Sequence, residues 1–268
     1  MKVDWGFVFS RFNVFMKIYW PYIIVPLFLI LLLYWLLPPA KREWVKDSLI
    51  PILFFLFMTS RILWRAITIV MRWTGKPHIL ILISVNNLLI LLFMALTITS
   101  YIIRSKPTHR ATGFMERFFP LFVVFFHLFG SYLIAMFTKF RLNLTLYIAG
   151  IAISVLGVSL DCMAMWKLKR SFSIMAEVRP LITKGIYGRI RHPLYAGELI
   201  HFFGISLLFN NKTAYGLFVL LLIMQTVRAL IEEKKMIAHF PEYGEYRKRT
   251  GFFLPRFRRK MIVRPQTP

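Results

Sequence analysis

Two polar cassettes stand where apolar runs of the chain end. The first reads Leu-Ile-Thr-Lys-Gly-Ile-Tyr-Gly-Arg-Ile-Arg-His-Pro-Leu-Tyr from Leu181 to Tyr195 and continues to Gly197. The second reads Arg-Ala-Leu-Ile-Glu-Glu-Lys-Lys from Arg228 to Lys235, followed by His-Phe-Pro-Glu-Tyr-Gly-Glu-Tyr from His239 to Tyr246. Pro193 suits the first turn of a helix, where a missing N–H costs nothing. His192 then stands at the helix entrance, among backbone donors that attract a carboxylate or phosphate. Gly185 and Gly188 permit a sharp turn close to a ligand, and Tyr187 and Tyr195 offer aromatic faces and hydroxyls for an adenine or a ribose. An ordinary basic juxtamembrane loop ahead of a Pro-started helix accounts for these local features equally well.

Arg228 and Glu232 are four residues apart and share a helix face. Acids at a helix C-terminus oppose its dipole, so Glu232 and Glu233 need a partner, either Arg228 or a ligand ammonium. A simple intrahelical ion pair within a solvated charge cluster is the plainer reading. Other polar residues fall inside apolar runs: Asn86, Asn87, His127, Asp161, Glu198 and His201. An ionisable group at membrane depth is a candidate for function. Glu198, one turn past Pro193 and Leu194, lies on the side of the cassettes.

These residues must be positioned by membrane helices. Of the 268 residues, 58% are hydrophobic and 17% charged, against about 45–50% and about 25% in soluble domains. The apolar stretches are continuous rather than alternating, which excludes a β-barrel, and the fold class is all-α and polytopic. About seven runs reach the roughly 17–23 residues of a span: Trp20–Leu37, Leu49–Val70, Ile79–Ile103, Phe118–Phe137, Leu142–Met165, Leu194–Phe209 and Ala214–Ile231. Arg61 and Arg65 interrupt the second. They can face a polar cavity, snorkel to an interface, or mark a helix lying on the membrane, and the last two are the simpler expectations. The N-terminal stretch carries no signal-peptide pattern, so the first run reads as an uncleaved anchor.

The net charge of +24 clusters between spans, which suits the positive-inside rule and anionic lipid rather than nucleic acid. The 166–193 connection, with Lys167, Lys169, Arg170, Arg179, Lys184, Arg189 and Arg191, and the tail from Lys234 onward are expected in the cytoplasm; the 210–213 loop is expected outside. The single cysteine, Cys162, excludes a disulfide or cysteine metal site within the chain. Three sections follow from the charge pattern: an N-terminal transmembrane extension (1–117), a core with a cytosolic cap (118–258) and a basic tail (259–268). The sequence carries no signal for an oligomeric state.

Taken together, Leu-Lys-Arg-Ser-Phe-Ser (168–173), Arg-Pro-Leu-Ile-Thr-Lys-Gly-Ile-Tyr (179–187), Arg-His-Pro-Leu-Tyr (191–195), Arg228 with Glu232 and Glu233, Phe-Pro-Glu-Tyr-Gly-Glu-Tyr (240–246) and Pro255 resemble the isoprenylcysteine carboxyl methyltransferases. The wider group includes phospholipid N-methyltransferases and related bacterial membrane methyltransferases. The resemblance covers about residues 118–258 and is specific to the superfamily, not to one substrate.

It implies a helical membrane enzyme that uses S-adenosyl-L-methionine, with a cofactor pocket open to the cytosol and a lipidic or prenylated substrate entering from the bilayer. It places Arg179, Pro180, Leu181, Ile182 and Tyr187 along the cofactor, with His192, Pro193, Leu194 and Tyr195 as the next wall. Glu232 would bind the cofactor ammonium, Glu233 would support the site, and Arg228 would hold the substrate, with Glu198 nearby. Arg228 and Glu232 are the expected catalytic pair. Methyl transfer from a sulfonium to a carboxylate needs alignment more than acid or base, and no metal. An amine acceptor would need a base, for which Glu198, Glu233 or a substrate group could serve. Phospholipid amine N-methylation and small-thiol S-methylation are the alternatives. An NADPH-dependent membrane reductase is more distant, since sterol reductases of related fold are larger. A transporter is disfavoured because the densest polar cassettes lie at helix ends rather than at mid-membrane.

Overall fold

The computed structural model describes residues 45–137 and 143–256, together with the isolated positions Ser10, Leu36 and Pro38. The expected first span, Trp20–Leu37, apart from Leu36, and the basic tail from 259 lie outside the described residues. A π-helical turn, Val45–Leu49, leads into α1 (Ile50–Met71). It is followed by α2 (Pro77–Ile103), α3 (Gly113–Phe137), α4 (Leu144–Leu168), α5 (Pro193–Phe209), α6 (Lys212–His239) and the short α7 (Tyr243–Arg249). Among the described residues, α1, α2, α3, α4 and α6 contain stretches long and apolar enough to cross a membrane, and α5 is a shorter apolar helix. The chain is a polytopic helical membrane protein.

The helix ends follow local chemistry. Pro51, Pro77 and Pro193 occupy first turns, where proline removes no intrahelical bond. Asn143 caps α4 by accepting from the Leu146 N–H at 3.1 Å, and Asn211 caps α6 by accepting from the Ala214 N–H at 2.9 Å. Between α5 and α6 the chain reverses through Asn210 in the left-handed region (φ 43, ψ 56), a conformation asparagine tolerates better than most residues. The doubtful second run is one unbroken 22-residue helix, α1, and its Arg65 lines a cavity rather than ending the helix.

Packing proceeds from α1 to α2, α4, α5 and α6, and α3 closes back across α6 and α5. It also reaches α1, where the rings of Phe54 and Phe125 meet edge to face at 5.1 Å. The closest pair is α4 with α5. Its seam is built of glycines: a Cβ on Gly157 would lie 2.3 Å from the His201 nitrogen, one on Gly204 2.5 Å from the Gly150 oxygen, and one on Gly197 2.0 Å from Asp161 Oδ1. In lipid, where apolar burial does not drive association, such close backbone approach supplies the van der Waals contact that holds helices together. The seam therefore fixes the register between the C-terminal end of α4 and the N-terminal end of α5, the two ends that flank the first cassette.

Helices alternate in direction, so the segments 104–112, 169–192 and 240–256 gather at one end of the bundle. They are knitted by backbone bonds: Ser105 N–H to Arg170 O (3.0 Å), Thr108 N–H to Val178 O and Val178 N–H to His109 O (both 2.9 Å), and Arg191 N–H to Gly251 O (2.8 Å).

Candidate active site

At this end a cavity of about 870 Å³, counted with its open mouth, lies under the 171–182 segment. The residues of the two cassettes reach it from different elements. Arg179, Pro180, Leu181 and Ile182 come from the irregular stretch after α4, and Tyr187 from the 3₁₀ turn Gly185–Gly188. His192, Leu194 and Tyr195 come from the start of α5, and Glu232 from the end of α6. α5 begins at Pro193 with His192 as its N-cap. Pro193 itself is buried behind the wall.

The electrostatics are arranged in layers. Glu232 is the carboxylate with access to the cavity from α6, its side chain 20% exposed. The Tyr195 hydroxyl donates to it, and Arg228 Nε stands 3.5 Å away. Arg228 lies one turn deeper, 1% exposed, and does not reach the cavity lining. It donates to Ile174 O at 3.1 Å and packs its guanidinium 4.4 Å from the Tyr195 ring centroid. Its Nε and Nη1 atoms lack a hydrogen-bond partner, an unfinished donor set in a place where unmade bonds are costly.

Glu233 points away from the cavity. It accepts from Arg191 Nε at 2.6 Å, faces His192 Nε2 at 3.2 Å and pairs with Arg247 Nε at 3.0 Å. It thereby ties α5, α6 and α7 together behind the site. Glu198 is also off the lining, buried on α5, where it accepts from Gln225 Nε2.

Further contacts, not foreseen from sequence, complete the site. Arg179 is 2% exposed and donates to Ser105 O and to Glu177 Oε2 (2.7 Å), which also accepts from Ser173. Lys235, on the cavity wall, pairs with Glu116 at 2.5 Å and donates to Arg110 O. Tyr246 donates to Tyr187 O at 2.7 Å. Burial pushes the Tyr246 hydroxyl up to about 12 and raises that of Tyr187 well above the usual range, so both remain donors at neutral pH. The N-terminal section is thus part of the frame: Ser105, Arg110 and Glu116 all precede the section that carries the motifs. The pattern of apolar and basic residues could not reveal this, because each contact joins positions far apart in sequence.

Fold and cavity together define a polytopic membrane protein with a cavity at one end of its helix bundle. Comparison of the sequence with known proteins narrows the class. The family model for phospholipid methyltransferase, a family that includes isoprenylcysteine methyltransferases, matches residues 145–243. Over 107 residues the chain is 36% identical to the protein-S-isoprenylcysteine O-methyltransferase of Schizosaccharomyces pombe, covering 37% of this chain and 45% of that protein. Over 77 residues it is 31% identical to the cobalt-zinc-cadmium resistance protein CzcN of Cupriavidus metallidurans, covering 28% of this chain and 36% of that protein. The chain spans under half the length of these curated relatives. Over the matched stretch it is similar to membrane methyltransferases of the phospholipid and isoprenylcysteine type.

Proposed function

We propose that this chain is an S-adenosyl-L-methionine-dependent methyltransferase acting on a lipidic acceptor, with carboxyl O-methylation of a prenylated, isoprenylcysteine-type substrate the reading favoured. The observation that carries it is the convergence on one cavity of Arg179, Leu181, Tyr187, His192, Tyr195 and Glu232 from two cassettes. The lining of the cavity suits the cofactor in chemistry. Glu232 offers a carboxylate to an α-ammonium, aromatic rings of Tyr187 and Tyr195 face an adenine, and the unpartnered Arg228 nitrogens stand behind Tyr195. Bound there, S-adenosyl-L-methionine supplies a methyl group on a sulfonium, which leaves as a neutral thioether.

The residues of the chain align the partners. Arg228 draws the acceptor carboxylate by a charge-assisted hydrogen bond, and the 171–182 segment excludes water. An acceptor that is already a carboxylate has no proton to lose, so no base is needed. This favours it over an amine. Of the carboxylates considered as bases, Glu233 is held by Arg191, His192 and Arg247, and Glu198 by Gln225. The positive-inside pattern supports a cavity on the cytoplasmic side.

Calorimetric titration of the detergent-solubilised protein with S-adenosyl-L-methionine and S-adenosylhomocysteine, with NADPH as control, tests the reading. Saturable binding of the first two is expected. Binding of NADPH alone would move the protein to the reductases, and binding of none of the three would remove the cofactor assignment.

A further inference from the structure

A second cavity lies apart from the proposed cofactor cavity. It encloses about 2000 Å³, counted with its open mouth, between α1, α2, α3, α4 and α5, and shares no lining residue with the first. Its mouth is at the opposite end of the bundle, where Arg65, Arg72 and Trp73 stand around the α1–α2 turn. Inward it collects the intramembrane polar residues that the proposed methyl transfer does not use.

Ser154 on α4 donates to Asn86 Oδ1 on α2 at 2.7 Å and meets His201 Nδ1 on α5 at 2.7 Å. The His127 ring on α3 faces His201 at 5.6 Å between centroids. Two buried atoms on the wall have no hydrogen-bond partner: His127 Nδ1 and Asp161 Oδ1, the latter on a side chain only 2% exposed. Asp161 lies 17 residues from the start of α4 and seven from its end, about 10 Å from the end beside the cassettes. A buried polar atom left without a partner inside a helix bundle costs several kcal/mol. Four helices contributing polar groups to one space make a built site, not a stray residue.

We propose that this cavity binds a neutral lipid alcohol, its hydroxyl among Asp161, His127 and His201 and its chain running toward the mouth past Ile62, Ile90 and Ile205. A hydroxyl both donates and accepts, so it can complete Asp161 Oδ1 or His127 Nδ1 while accepting from an asparagine amide. An ammonium head would have to pass Arg65 and Arg72, and a carboxylate head would end against Asp161. This site is independent of the methyltransferase reading, because the two cavities are disjoint.

The test is equilibrium binding of tritiated oleyl alcohol to the full chain in detergent, with S-adenosylhomocysteine affinity measured on the same samples to report on fold and on the other cavity. One saturable site per chain is expected. Its affinity should fall about tenfold or more in His127→Phe and Asp161→Leu, the weight of a lost buried hydrogen bond, and in Ile90→Trp, which fills the space. Affinity for S-adenosylhomocysteine should not move with it. Should Asp161→Leu fail to fold, His127→Phe and Ile90→Trp decide. Competition by cholesterol assigns the ligand to a sterol, and its failure assigns it to a linear chain; both uphold the site. Non-saturable uptake, equal binding in the folded variants, or stronger displacement by oleylamine or oleic acid than by unlabelled oleyl alcohol overturns it.

Discussion

At the scale of residues, the candidate site separates side chains that meet a ligand from those that hold them. Glu232 is 20% exposed and lines the cavity, while Glu233, its neighbour in sequence, is 3% exposed and ion-paired with Arg191 and Arg247. Successive positions on a helix are turned about 100° apart, so one residue step moves a carboxylate from the cavity to the wall behind it. Glu232→Gln keeps the shape and removes the charge. We expect it, and His192→Ala, to weaken S-adenosylhomocysteine binding by about tenfold or more while the melting temperature stays close to that of the parent; unchanged affinity in both purified variants would remove the site assignment. Arg228 lies deeper and is expected to act on the acceptor. Arg228→Ala should lower turnover on the order of a hundredfold, the effect of a misplaced acceptor, with a much smaller change in cofactor affinity. Equal losses in a paired turnover and binding assay would deny it a substrate role.

At the scale of elements, helix existence was legible and helix contact was not. The runs Ile79–Ile103 and Leu194–Phe209 lie within two residues of the observed α2 and α5, because an apolar run of membrane length has few alternatives to a helix. The cassettes were legible for a different reason: Pro193 and the glycines of 185–188 dictate local backbone, and the structure begins α5 at Pro193 and turns at Gly185, φ +67. Tertiary pairings escaped, as with Arg179 on Ser105 or Lys235 on Glu116. So did the glycine seam of α4 and α5, since the two pairs sit on separate runs and their meaning lies only in the approach between them. We expect Gly157→Leu to destabilise the protein by about 1–3 kcal/mol or more through overpacking against His201, read as a lower thermal midpoint in detergent, whereas Gly216→Leu, where a Cβ meets nothing within 4 Å, should be near neutral. The tie between α7 and the 185–188 turn carries its own pH signature. An exposed tyrosine titrates near 10 and Tyr246 near 12 in the folded protein, so its contribution to stability is complete below pH about 10 and is lost as the pH rises through about 12. Tyr246→Phe should therefore be less stable than the parent at pH 8, by about 1 kcal/mol for one buried hydrogen bond, and the gap should close across that alkaline window.

At the scale of the whole molecule, the cofactor cavity and the polar cavity open at opposite ends of one bundle, and the orientation of the chain decides which membrane face each one sees. Charge gives the direction. The segments around the cofactor cavity carry Lys167, Lys169, Arg170, Lys184, Arg189, Arg247 and Lys248, whereas the α5–α6 turn at the other end has only Lys212 nearby. Cationic loops near spans are retained on the cytoplasmic side, so the proposed function predicts that the cofactor cavity faces the cytosol and that the mouth framed by Arg65 and Arg72 lies on the far face. The sequence makes the test clean, because Cys162 is the single cysteine and it is buried on α4. In a Cys162→Ser background, a cysteine placed at Lys184 or Glu245 should resist a membrane-impermeant maleimide in intact cells and react once the cells are opened, and one placed at Lys212 should react in both conditions. The reverse pattern would invert the protein and take the cofactor cavity out of reach of a cytosolic donor, and the methyltransferase reading would then fail on supply even with every residue of the cavity in place.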